Sequence, residues 1–154
     1  MTTILPDEWP SFDSDFVKLT LKPFTSFDIN FHINRLKLDG YTIFKQLLPQ
    51  DIFPTLNDAF DDLKSHQLKP VGIVMHPMYW AITQALNDIV LQLLDEPYHV
   101  LPETWAWDIE PGKHQKGWAP HREKAFSTVR SDNRPNSVSL WIPITSATPE
   151  NSCM

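Results

Sequence analysis

A chain of 154 residues, 42% hydrophobic and 21% charged, is long enough to bury one sizeable core and too apolar to be a disordered polymer. Its net charge of −6 argues against a nucleic-acid partner, because phosphate binding needs a basic field. No apolar run approaches the ~20 residues that cross a bilayer, the first ten residues lack a basic start and apolar core, and the single cysteine, Cys153, has no internal disulfide partner; the expectation is one soluble, cytoplasmic domain.

Residues 1–30 read as an extended arm, broken by Pro6, Pro10 and Pro23 and carrying Trp9, Phe12 and Phe16 as aromatic anchors. Phe31, Leu36 and Leu38 do not alternate, which suggests a short helix over 31–38, and Asp39-Gly40 is a turn signal. Residues 41–45, Tyr-Thr-Ile-Phe-Lys, are β-branched and aromatic and predict a strand. Asp51 then reads as an N-cap, with Pro54 tolerated in the first turn. Phe53, Leu56, Phe60 and Leu63 recur at helical spacing, so a helix is predicted to about Gln67, closed by Lys69-Pro70.

A second long helix is predicted from about Met78 to Asp95. Its stripe is Ile82, Leu86, Ile89 and Leu93, widened by Ala85, Val90 and Leu94, which suggests burial under a sheet. Glu96-Pro97 stops it. From Glu103 the period becomes two: Trp105, Trp107 and Ile109 face one way, Thr104, Ala106 and Asp108 the other. Pro111-Gly112 is a turn and 113–118 a polar loop. A last strand is predicted over 137–145, with Val138, Leu140, Ile142 and Ile144 alternating with Ser139 and Trp141. Only 4 glycines against 14 prolines also favour helices and Pro-shaped connections over a barrel rich in glycine turns. Helices first and strands second point to an α+β fold.

The chemistry centres on His121-x-Glu123. On an extended segment, residues i and i+2 share a face, so an imidazole and a carboxylate at this spacing can bind one metal ion. Completed by a second histidine, such a set suits iron(II) oxygenase chemistry. The competing reading is a solvated turn, His-Arg-Glu-Lys. Trp105 and Trp107 could line a substrate cavity or belong to the core. Lys113, Lys116 and Arg122 could attract an anionic substrate or simply be solvated. His114 could approach the metal from the preceding loop, whereas His32, His66, His76 and His99 read as surface or helix-flanking residues.

Taken in order, the Asp39-Gly40-Tyr41 strand, the Asp51 helix, the Trp105/Trp107 strand, Gly117-Trp118-Ala119-Pro120-His121-Arg122-Glu123, the strand Ser139 to Ile144 and Thr148-Pro149-Glu150-Asn151 resemble the phytanoyl-CoA dioxygenase-like family of iron(II)/2-oxoglutarate oxygenases. The resemblance covers residues 39–154. It implies helices flanking a double-stranded β-helix of the jelly-roll or cupin type, incomplete here. It further implies iron(II) held by His121 and Glu123, with 2-oxoglutarate as co-substrate and a small organic substrate. Trp105, Trp107, Lys113 and Arg122, read from the residues themselves, are the candidate substrate-facing residues. Glu123 stands where the family usually has Asp, and Ser152 where it usually has Gly. The family's distal histidine and the basic residue that anchors 2-oxoglutarate have no counterpart in the chain, which reads as truncated. Two other readings stay open. One is a non-catalytic remnant or interaction domain that associates with itself or a partner through unpaired strand edges. The other is a cupin-like metal-binding protein of different activity.

Overall fold

The computed structural model of the protein describes residues 26–101, 103–109, 129–131 and 135–148. Three α-helices and one short 3-10 helix make up its ordered frame: α1 (Ser26–Asp39), α2 (Ile52–Ser65), the 3-10 helix Pro70–Met75, and α3 (Pro77–Leu94). The 3-10 helix is the hub of the packing, contacting both α2 and α3, while α1 lies against α3.

Each helix shows why its sequence takes that form. In α1, Ile29 is buried, with Ile33 and Leu36 partly so, a 4-3 spacing that puts one stripe on the core. The helix begins at Ser26, inside the stretch expected to be an extended arm; residues 1–25 lie outside the described residues. Gly40 ends it in the left-handed region, φ +78°, with its N–H donating to the Leu36 carbonyl at 3.1 Å. A residue without Cβ takes that conformation at least cost.

Helix α2 starts one residue after Asp51, as its sequence predicts, although the Asp51 side chain makes no capping bond. Ile52, Leu56 and Leu63 are its buried residues, with Phe53 and Phe60 partly buried beside them. In α3 the whole predicted stripe is buried, Ile82, Leu86, Ile89 and Leu93, together with Val90 and Leu94. Pro77 occupies the first helical position, where its missing N–H costs nothing. Asp95 closes the helix at φ 57°, its N–H donating to the Leu91 carbonyl at 2.9 Å.

The jelly-roll expectation is not met. Among the described residues there is no sheet or barrel, and the one β feature is an isolated antiparallel bridge between Val129 and Pro135. Among the described residues α2 therefore packs on the 3-10 helix, and α3 on the 3-10 helix and on α1, not beneath a sheet.

The segment 41–45 shows the physical reason. Its side chains alternate, with Thr42 and Phe44 half-buried and Tyr41 and Ile43 exposed. It lies along α1, where the His32 ring stacks on Phe44 at 3.8 Å and His32 Nδ1 bonds Thr42 Oγ1 at 2.6 Å. A helix side offers side chains but no spare backbone donors or acceptors, so the segment has a buried face without a ladder. It ends in a turn, with Gln46 at φ 53°.

Residues 103–109 and 137–145 repeat this behaviour. Both are without regular secondary structure, and both lay apolar side chains, Ala106 from one and Ile142 and Ile144 from the other, against the helical core.

Candidate functional site

The chain leaves α3 at Asp95 and doubles back along it. Arg130 pairs with Glu96 at the start of this return. Tyr98 then donates its hydroxyl proton to Asn87 Oδ1 at 3.0 Å. Further on, the Thr104 hydroxyl meets Tyr79 Oη, in the first turn of α3, at 2.7 Å. Asp108 accepts from Lys64 Nζ of α2 at 2.9 Å. Three bonds at increasing sequence separation thus hold residues 96–108 against the helices.

Thr104 and Ala106 turn inward, and Trp105 and Trp107 turn outward. The two indoles stand side by side, centroids 5.9 Å apart and planes within 12°. Their exposures of 68% and 56% put both rings largely in solvent. The alternation read from the sequence holds from Thr104 to Trp107 and then slips: Asp108 is exposed and Ile109 half-buried, although Ile109 was expected on the tryptophan face. Without a ladder to keep the pleat in register, nothing forces strict alternation past the last anchored residue.

Of the residues singled out for chemistry, the structure brings Trp105 and Trp107 together. His121, Glu123, Lys113 and Arg122 lie outside the described residues, as do His114, Lys116 and Cys153. Among the described residues no group of three or more His, Cys, Asp or Glu side chains could hold a metal ion.

Two histidines are more closely involved in the fold than a flanking role suggests. His32 stacks on Phe44 and meets Phe31 edge-on, centroids 5.3 Å apart. Burial pushes its pKa below the ordinary value of 6.5, with Asp28 one turn back opposing the shift. His76 is the N-cap of α3, its Nδ1 accepting from the Met78 N–H at 3.1 Å, and burial lowers its pKa as well. The sequence carried a signal for this cap: a proline at position 77 marks a first helical position, and the residue before it is then the cap. Tyr79 and Thr104 had no such signal, because their bond joins residues 25 apart.

No helix among the described residues is long and apolar enough to cross a membrane. Comparison with protein-family models, with curated proteins and with solved structures returned no match for this chain.

Proposed function

We propose that this chain carries two ligands of an iron(II)/2-oxoglutarate oxygenase site, His121 and Glu123, and that the site serves the hydroxylation of a small organic substrate. The observation that carries the reading is the ordered motif set around His121-x-Glu123, which runs from Asp39-Gly40-Tyr41 to Thr148-Pro149-Glu150-Asn151; its Trp105/Trp107 segment is held on the helices through Tyr79, Lys64 and Asn87. His121 Nδ1 or Nε2 and a Glu123 carboxylate oxygen are the donors. Glutamate is one methylene longer than the aspartate usual in the family and remains a competent oxygen ligand. Iron with 2-oxoglutarate supplies the oxidising chemistry; the chain binds, orients and excludes water. Trp105 and Trp107 would offer flat apolar surface to the substrate, and Lys113 and Arg122 would draw an anionic one.

No histidine follows Glu123 in the 154 residues. With two ligands the metal is loosely held and solvated, since each ligand normally needs a supporting partner. The 154-residue protein is thus expected to bind iron(II) weakly, to lose that binding in His121→Ala and Glu123→Ala, and to produce no succinate from 2-oxoglutarate. Anaerobic titration calorimetry with iron(II), then with 2-oxoglutarate, tests the first point, and a succinate assay the second. Iron affinity that both variants leave unchanged refutes the ligand assignment. Turnover abolished by His121→Ala would show that His114 or a second subunit completes the site.

The exposed Trp105–Trp107 pair favours one alternative, a non-catalytic interaction domain. Under that reading Trp105→Ala/Trp107→Ala abolishes concentration-dependent association in sedimentation experiments, and iron binding is absent.

A further inference from the structure

Helix α3 begins at a position where every backbone donor is accounted for. Pro77 has no N–H, the Met78 N–H donates to His76 Nδ1 at 3.1 Å, and the Tyr79 N–H donates to the His76 carbonyl at 3.0 Å. The His76 N–H in turn donates to the Ile73 carbonyl at 2.9 Å, so one residue closes the 3-10 helix and opens α3. Trp80 adds a bond from its indole N–H to the Val74 carbonyl at 2.9 Å. The cap works only while Nδ1 carries a lone pair, which requires the neutral imidazole with its proton on Nε2.

We propose that His76 is an acid-operated cap: protonation of its imidazole opens the first turn of α3 and, through Tyr79 and Thr104, loosens the segment that presents Trp105 and Trp107. Two effects act in the same direction. An Nδ1–H would face the Met78 N–H, donor against donor. The imidazolium would also place positive charge at the positive end of the helix dipole. The neighbouring groups do not offset this. The 3-10 helix Pro70–Met75 has no titratable side chain, and Tyr79 is the titratable group in the first turn of α3. Lys69, His66, Asp62 and Lys64, on the α2 side, are exposed, and so are Glu103 and Asp108 on the returning segment. Burial, the cause of the lowered His76 pKa, independently favours the neutral, capping form. The sign follows: the cap is intact above about pH 6.5, the ordinary imidazole value, and is lost as the pH falls through the lower folded-state pKa.

Tyr79 links the cap to the aromatic segment because its amide bonds His76 and its hydroxyl meets Thr104 at 2.7 Å. The test is an NMR titration of the 154-residue protein, following the His76 ring, the exchange protection of the Met78 amide and the indole resonances of Trp105 and Trp107. Protection at Met78, corrected for intrinsic exchange, should fall about tenfold, the scale of one lost cap bond, with the midpoint of the His76 ring, and both indoles should shift with it. In His76→Asn, where a neutral acceptor caps without titrating, the acid step should disappear. Met78 protection that stays flat across the His76 titration, or an acid step that survives in His76→Asn, overturns the cap. Protection lost at Met78 while the two indoles stay still overturns its transmission to the segment.

Discussion

Gly72 and Leu63 offer a measurement in which packing and backbone entropy predict opposite signs. Gly72 lies in the 3-10 helix, donates its N–H to the Lys69 carbonyl at 2.9 Å, and is not in the left-handed region. On backbone grounds alone, Gly72→Ala should stabilise by about 0.4–1 kcal/mol through the unfolded chain. The structure opposes this: a Cβ at residue 72 would stand 2.8 Å from Leu63 Cδ2. Leu63 is 1% exposed, the most deeply buried large side chain described, so its methyl groups can give way only by moving against their packed neighbours. Overpacking of this kind costs about 1–3 kcal/mol, which outweighs the entropic gain. Leu63→Ala alone should cost about 2–5 kcal/mol, combining lost transfer energy with the cavity. In the double variant the clash is gone and the new methyl occupies part of that cavity, so the two changes together should cost about 1–3 kcal/mol less than their sum. Urea unfolding of the four proteins, followed by far-ultraviolet circular dichroism with an unchanged m-value, measures this cycle. Additivity within about 0.5 kcal/mol, or a stabilising Gly72→Ala, would refute the contact as the deciding term.

Thr104→Val keeps the shape of the side chain but leaves the half-buried Tyr79 hydroxyl without the partner it has at 2.7 Å; the urea midpoint should fall by the equivalent of about 1 kcal/mol, and the indole resonances of Trp105 and Trp107 should broaden. Because burial lowers the pKa of both His32 and His76 below 6.5, the unfolded chain binds more protons than the folded one in this range. Stability should therefore be full above about pH 6.5 and decline as the pH falls through the two lowered values. His32→Asn/His76→Asn should flatten that decline in denaturation midpoints compared between about pH 7 and about pH 5, and an unchanged slope would contradict the assignment.

The sequence and the structure agree where the argument rests on local periodicity. The stripe Ile82, Leu86, Ile89 and Leu93 is buried as its spacing requires, and α2 and α3 end within two residues of their expected limits. Gly40 ends a helix because a glycine after Asp39 can take a positive φ. The same reasoning failed at 41–45, at 103–109 and at 137–145. Each run has the composition or the alternation of a strand, and each does put side chains on the core, but none of the described segments forms a sheet. For the candidate site, the spacing of His121-x-Glu123 fits a solvated turn as readily as a metal site, and it was the family resemblance of the ordered motifs that singled it out; alternation marked the tryptophan pair, and the described structure speaks only to that pair.

Legible in the chain itself are the elements whose stabilising partners lie within a few residues: the stripes of α2 and α3 and the turn at Gly40. An α-helix satisfies its own backbone groups, so its pattern is sufficient evidence for it. The tertiary structure decided which surface receives each apolar face, that Tyr79 would hold Thr104, and that Trp105 and Trp107 would face outward. A strand needs hydrogen-bond partners from a distant part of the chain, and alternation records only which side is buried, not whether a neighbour is there to pair with.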